Sequence, residues 1–191
     1  MALTKQAKTL TEAQQKTVLE YCKATRHSTR NEVMFLLSVD AGLRAKEIAS
    51  LDWSMVTDAT GTLTDTIRLE DKAAKGKSGG VVFMSRRLIQ ALGRLQSETS
   101  SKPDRVIRSQ NGKPMVPQVV VNWFAYLYRD LGFEGCSSHS GRRTAITRWA
   151  RKISSVGGSL RDVQSLARHS SLAMTQRYIE VSEDACRRVV G

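Results

Sequence analysis

The sequence predicts an α+β fold, mainly α, in which a helical domain carries a small antiparallel three-stranded sheet. Three observations support this. Helix-capping signals precede apolar residues at helical spacing in several stretches. Two β-rich runs, around residues 67–69 and 81–84, flank a tip of Lys, Gly and Ser, the pattern of a hairpin with a flexible basic turn. A chain of 191 residues is also long enough for one domain with a real core.

Each element has its own signal. Thr11 with Gln14, and Thr29 with Glu32, are two capping-box patterns able to satisfy orphan amides at a helix start. Val18, Leu19 and Cys22 line one face of the first helix, and Val33, Leu36 and Leu37 one face of the second, which Gly42 is expected to end. Residues 45–51 read as a short third helix. After the hairpin, Ser85 is the expected cap of a helix to about Leu95, and residues 105–107 are the expected third strand. An apolar helix follows Pro117 and stops at Gly132. Further helices are expected over 140–152 and 160–167, with two short pieces around Tyr178 and over 184–190. Residues 1–9 are expected to be a flexible extension and 10–191 a single domain.

Composition narrows the function classes. The longest apolar stretch, 33–37, cannot span a bilayer, and the N-terminus has no apolar core with a cleavage site. Cys22, Cys136 and Cys186 are odd in number and lack metal-ligand spacing, which suits reduced thiols in a cytoplasm. The formal net charge is +12, and between Lys102 and Lys152 the basic residues far outnumber Asp104, Asp130 and Glu134. That imbalance favours a polyanion, with nucleic acid the leading candidate.

Attack on a DNA phosphodiester needs a nucleophile, cations for the non-bridging oxygens and an acid for the leaving alkoxide. The acidic residues are scattered without a metal-binding constellation, so side-chain cations are the better-supplied route and no metal or other cofactor is expected. In "AGLRAKEIASLDW", Arg44 follows the helix-stopping glycine and Glu47 lies three residues on, able to orient its guanidinium. Alone, such a pair is commonly a solvated one. In "SSHSGRRTAITRWA", His139 and Arg142 stand at a helix start, where amides also favour an anion. Lys75 sits in the hairpin tip with Lys72 and Lys77, all long enough to reach a DNA backbone. In "HSSLAMTQRYI", Tyr178 lies nine residues after His169. A phenol with a pKa of about 10 needs nearby cations to act as a nucleophile, and an aromatic here is otherwise a core residue.

Taken together, the order Arg, Lys, His-x-x-Arg, His, Tyr resembles the catalytic signature of the tyrosine recombinase family, the phage-type integrases. The resemblance runs over nearly the whole chain. It implies a helical catalytic domain in which Arg44 and Arg142 bind the scissile phosphate and His139 and His169 contact it and assist proton transfer. Lys75 would protonate the leaving 5′-hydroxyl, Glu47 would buttress Arg44, and Tyr178 would form a 3′-phosphotyrosyl intermediate. Lys72, Lys77, Arg143 and Arg168 are further candidate DNA contacts. Two departures stand out. Arg168 occupies a position where the family commonly has glycine, and Phe83 replaces a proline at the end of the hairpin.

The same resemblance implies double-stranded DNA as partner, a homo-tetramer assembled on it, and a cytoplasmic, nucleoid-associated protein. Without a separate N-terminal clamp domain the chain is expected to be a stand-alone catalytic domain, for which an accessory DNA-binding protein is a further possible partner. Val181, Val189 and Val190, beyond Tyr178, suit docking onto a neighbouring protomer as well as packing on their own core. The leading expectation is a site-specific recombinase. The alternative is a DNA-binding accessory protein that keeps the fold without the chemistry.

Overall fold

The computed structural model describes residues 6–71, 73, 79–99, 104–179 and 183–190. Contacts divide the chain into two units, Met1–Ala145 and Ile146–Gly191.

The first unit is organised around one helix. α1 (Glu12–Lys23) opens with the expected capping box: the Thr11 hydroxyl accepts from the Gln14 amide, and the Gln14 side chain accepts from the Thr11 amide. It buries Val18 and Cys22. Burial pushes the Cys22 thiol up to about 12. α2 (Ser28–Val39) is buried at every position from Val33 to Val39, so the apolar stripe expected on one face extends right around the helix. Such a helix is the middle of a core, and each large apolar side chain removed from water contributes about 2 kcal/mol.

The second expected capping box does not form. α2 begins two residues earlier than its pattern implied, with His27 at the N-cap and no side-chain cap bond. Thr29 therefore lies inside the first turn, and its hydroxyl donates to Glu98 (2.7 Å), while Glu32 pairs with Arg94 (2.7 Å). Partners distant in sequence outcompete the local bond.

α2 gives way to Asp40, and Gly42 turns the chain in the left-handed region (φ 63°), where a residue without Cβ meets no steric penalty. α3 (Ala45–Ala49) and a 3-10 turn (Trp53–Met55) follow. β1 (Thr66–Leu69) and β2 (Gly80–Phe83) pair antiparallel, Thr66 opposite Phe83 and Leu69 opposite Gly80. The expected third strand is a correction: among the described residues the sheet has two strands, and Arg105 makes only an isolated bridge with Asp52. The Arg105–Asp52 ion pair (3.2 Å) and bonds to the backbone of Leu51 and Trp53 hold that segment to the loop after α3.

α4 (Arg86–Ser97) is capped by Ser85, whose hydroxyl accepts from the Leu88 amide and donates to Asp40. The buried Asp40 carboxylate also takes Arg87 in a two-point bond (2.6 Å each), which raises the Arg87 pKa and ties α4 to the end of α2. α5 (Pro117–Asp130) starts with proline at its first turn and is followed by Gly132 at φ 68°. The segment before α1 is tied down from Gln6 onward. Lys8 bonds the Gly135 carbonyl and Leu10 the Thr144 hydroxyl.

α6 (Ser140–Lys152) contains the division between the units. The second unit continues with a 3-10 turn (Ile153–Val156), α7 (Leu160–Ala167), α8 (Leu172–Gln176) and α9 (Glu183–Val190). Its apolar core is small: Ile146, Val163 and Ala167 are fully buried, with Trp149, Leu160 and Tyr178 packed partly against them. Among the described residues no helix is long and apolar enough to cross a membrane.

Candidate active site

In the first unit two arginines meet at one glycine turn. Arg44 leads into α3, and Glu47, wholly buried, receives both its backbone amide and its guanidinium Nη1 (2.8 Å each). The expected pairing is thus a two-point brace, and the carboxylate fixes the arginine while leaving it part-exposed. Arg142 is buried, and its Nη1 donates to the Gly42 carbonyl (2.5 Å), two residues before Arg44. This contact is possible because α6 lies close to α2: a Cβ on Gly141 would sit 2.8 Å from the Ser38 Cβ. The small residue beside Arg142 sets how deeply that arginine is seated.

His139 stands exposed immediately before α6, its carbonyl accepting from the Arg143 amide. Arg143 extends to Gln6, donating to its side-chain oxygen. Lys72, Lys75 and Lys77 lie outside the described residues.

The second unit brings His169 and Tyr178 together. Their rings stack with centroids 5.3 Å apart and planes 27° from parallel. His169 is buried, and its Nδ1 shares a 2.9 Å hydrogen bond with the hydroxyl of the fully buried Thr175. The Thr147 hydroxyl donates to the Tyr178 carbonyl (3.2 Å), and Tyr178 itself stays half-buried at the end of α8. Nine residues of chain therefore fold back through α8 so that the tyrosine returns onto the histidine. Arg168 is the helix C-cap of α7 with φ 52°, in the left-handed region, and is the one non-glycine with positive φ among the described residues. Glycine would suit that backbone, and arginine adopts it against its steric preference.

Two supports escaped sequence reasoning. The Gly42 carbonyl that seats Arg142 is a backbone group, and no residue type announces it. Thr175 lies six residues after His169, a spacing that puts two side chains together only once the α7–α8 turn is known.

Comparison with known proteins gives a consistent picture. The model of the Phage integrase family matches residues 8–184. The chain is 26% identical over 164 residues to tyrosine recombinase XerC of Rickettsia prowazekii (strain Madrid E), covering 85% of this chain and 51% of the relative. It is 27% identical over 154 residues to tyrosine recombinase XerC of Rickettsia typhi (strain ATCC VR-144 / Wilmington), covering 80% and 48%. The chain thus spans about half the length of the curated relatives it matches. Among solved structures, the Tn1549 transposon integrase in complex with a circular intermediate DNA superposes with a TM-score of 0.76 at 19% identity, over 98% of this chain and 66% of that one. XerA recombinase superposes with a TM-score of 0.70 at 21% identity, over 95% and 61%. At these identities the superpositions establish the fold.

Proposed function

The chain belongs to the phage integrase family, and we propose that it is a site-specific DNA recombinase that breaks and rejoins strands through Tyr178. The observation that carries this reading is the turn at Gly42, where a braced Arg44 and a buried Arg142 supply two guanidiniums suited to one phosphate. Two fixed cations stabilise the charge that grows on the non-bridging oxygens as phosphorus becomes five-coordinate. In this reading His139 and His169 assist proton transfer.

The chemistry balances without an external energy source. The Tyr178 oxygen attacks phosphorus and loses its proton; the bond from phosphorus to the 5′-oxygen breaks; Lys75 delivers a proton to that oxygen, releasing a 5′-hydroxyl. The 3′-phosphotyrosyl ester keeps the energy of the phosphodiester. A 5′-hydroxyl from a partner strand then reverses the steps on a new junction. Stacking on His169 supports an oriented Tyr178 phenol.

Double-stranded DNA is the substrate in this reading, and Lys72, Lys77, Arg143 and Arg168 are its further contacts. The active form is a homo-tetramer on DNA, acting in the cytoplasm at the nucleoid, with an accessory DNA-binding protein as a possible further partner. Exposure of Val189 and Val190 on α9 supports assembly of neighbouring copies.

A nicked suicide duplex carrying the cleavage site tests the reading. Wild-type protein should form a denaturant-resistant covalent adduct, and Tyr178→Phe should bind the same DNA and form none. Salt-dependent binding by both proteins with no adduct from either would turn the assignment to a DNA-binding accessory protein.

A further inference from the structure

At the other end of α2 from Arg44, a cleft of about 550 Å³ opens between the start of α2, the end of α4 and the loop around residues 108–112. Twelve residues of helix separate the two ends, about 18 Å at 1.5 Å per residue, so this cleft is remote from the Gly42 turn. Its lining is strongly basic. Arg26, Arg30 and Arg108 face it, against one carboxylate, Glu98, which already accepts from the Thr29 hydroxyl.

The arginines here differ from several others in the unit that hold a carboxylate. Arg44 has Glu47, Arg87 has Asp40, Arg94 has Glu32 and Arg105 has Asp52. Among the described residues neither Arg26 nor Arg30 has a carboxylate within ion-pair distance. Arg30 is half-buried, and its guanidinium donates only to neutral oxygens, the Asn31 side chain and the Arg108 carbonyl. Burial accordingly lowers its pKa. Placing a charge in such a site costs free energy unless an anion joins it.

Two further features point the same way. The Nε2 atom of His27 is buried with no hydrogen-bond partner among the described residues. In addition, α2 has no side-chain cap, so its first amides and the positive end of its dipole are left to other partners. Thr29, whose spacing from Glu32 predicts that cap, is turned to Glu98 instead.

We propose that this cleft is an anion site for a phosphoryl group, held by Arg26 and Arg30 with the first amides of α2. Its two possible sources are a DNA backbone phosphate away from the scissile one and a free phosphorylated small molecule.

The test is a residue-resolved NMR titration of the whole chain with inorganic pyrophosphate. Saturable amide shifts are expected at residues 27–30 and 108–112. Affinity there should fall about tenfold or more in Arg26→Glu, as expected for loss and reversal of a charge-assisted contact. Arg26 is exposed and makes no bond that the fold needs, so an otherwise unchanged spectrum shows that the variant is folded. Absence of saturable shifts at these amides, or equal affinity in Arg26→Glu, overturns the proposal. Repeating the titration on protein bound to duplex DNA separates the sources: loss of pyrophosphate binding identifies a backbone phosphate, and retained binding a free ligand. Covalent adduct formation by Tyr178 is a separate measurement, so failure here leaves that assignment standing.

Discussion

In the first unit α2 is buried on every side from Val33 to Val39, whereas among the described residues of the second unit full burial of apolar side chains is confined to Ile146, Val163 and Ala167. The two parts of the proposed machinery thus rest on unequal foundations. Arg44 follows the end of a central helix and Arg142, on α6, is bonded to the turn between that helix and Arg44, so both change position only if a large core is disturbed. Tyr178 is a partly buried member of a small cluster, so the work needed to shift it is limited to a few contacts. In this reading the phosphate-binding cations are fixed and the nucleophile is the adjustable part.

The largest expected effect comes from disturbing the rigid side. Gly141→Val forces a branched side chain into Ser38, where even a Cβ would lie 2.8 Å from the Ser38 Cβ and 3.1 Å from its carbonyl carbon. A loss of about 3 kcal/mol is expected in denaturant unfolding, with Arg142 displaced from the Gly42 carbonyl. A variant of wild-type stability would show that α6 and α2 approach less closely than described, and the contrast between the units would weaken.

Hydrogen exchange measures the contrast directly. The amides of Leu36 and Leu37 should open only with the whole first unit. Those of Ala167 and Thr175 should open at a free energy lower by about 2 kcal/mol or more, because little apolar surface is exposed when the second unit loosens. Equal protection would mean that the tyrosine is held as firmly as the arginines.

How much of this was legible beforehand follows the same division between local and distant interactions. The cap of α1, the glycines at 42 and 132 and the bounds of α6 and α7 are written in short-range chemistry, and the structure bears them out. Among the described residues the second capping box and the third strand do not form, for one reason. Thr29, Glu32 and Arg105 find partners far along the chain, at Glu98, Arg94 and Asp52, and local patterns carry no trace of these. In the candidate site, spacing pointed to the Arg44–Glu47 brace. The Arg142–Gly42 contact links residues a hundred positions apart and needed the fold.

A smaller effect isolates one backbone position in the adjustable unit. Arg168 sits at φ 52° between α7 and His169, and replacing it removes whatever its guanidinium touches as well as strain. Comparing Arg168→Gly with Arg168→Ala cancels the contacts, since both lack the guanidinium. The glycine variant should be the more stable by about 1 kcal/mol, because only it adopts the left-handed conformation without a Cβ penalty. Identical melting of the two would show that the turn before His169 relaxes out of that region, and with it the ring stacked on Tyr178.

The smallest effect returns to the first unit. Tyr128 is 1% exposed between Phe124 and Phe133, and its hydroxyl has no hydrogen-bond partner among the described residues; burial raises its pKa. An unsatisfied buried hydroxyl opposes folding, and removing it leaves only a small void, so Tyr128→Phe should be neutral or stabilising by up to about 1 kcal/mol. A large core can carry such a defect because many apolar contacts surround it. Destabilisation by Tyr128→Phe would reveal a partner for the hydroxyl, such as a bound water. The margin of the first unit would then rest partly on a polar contact and less on burial alone.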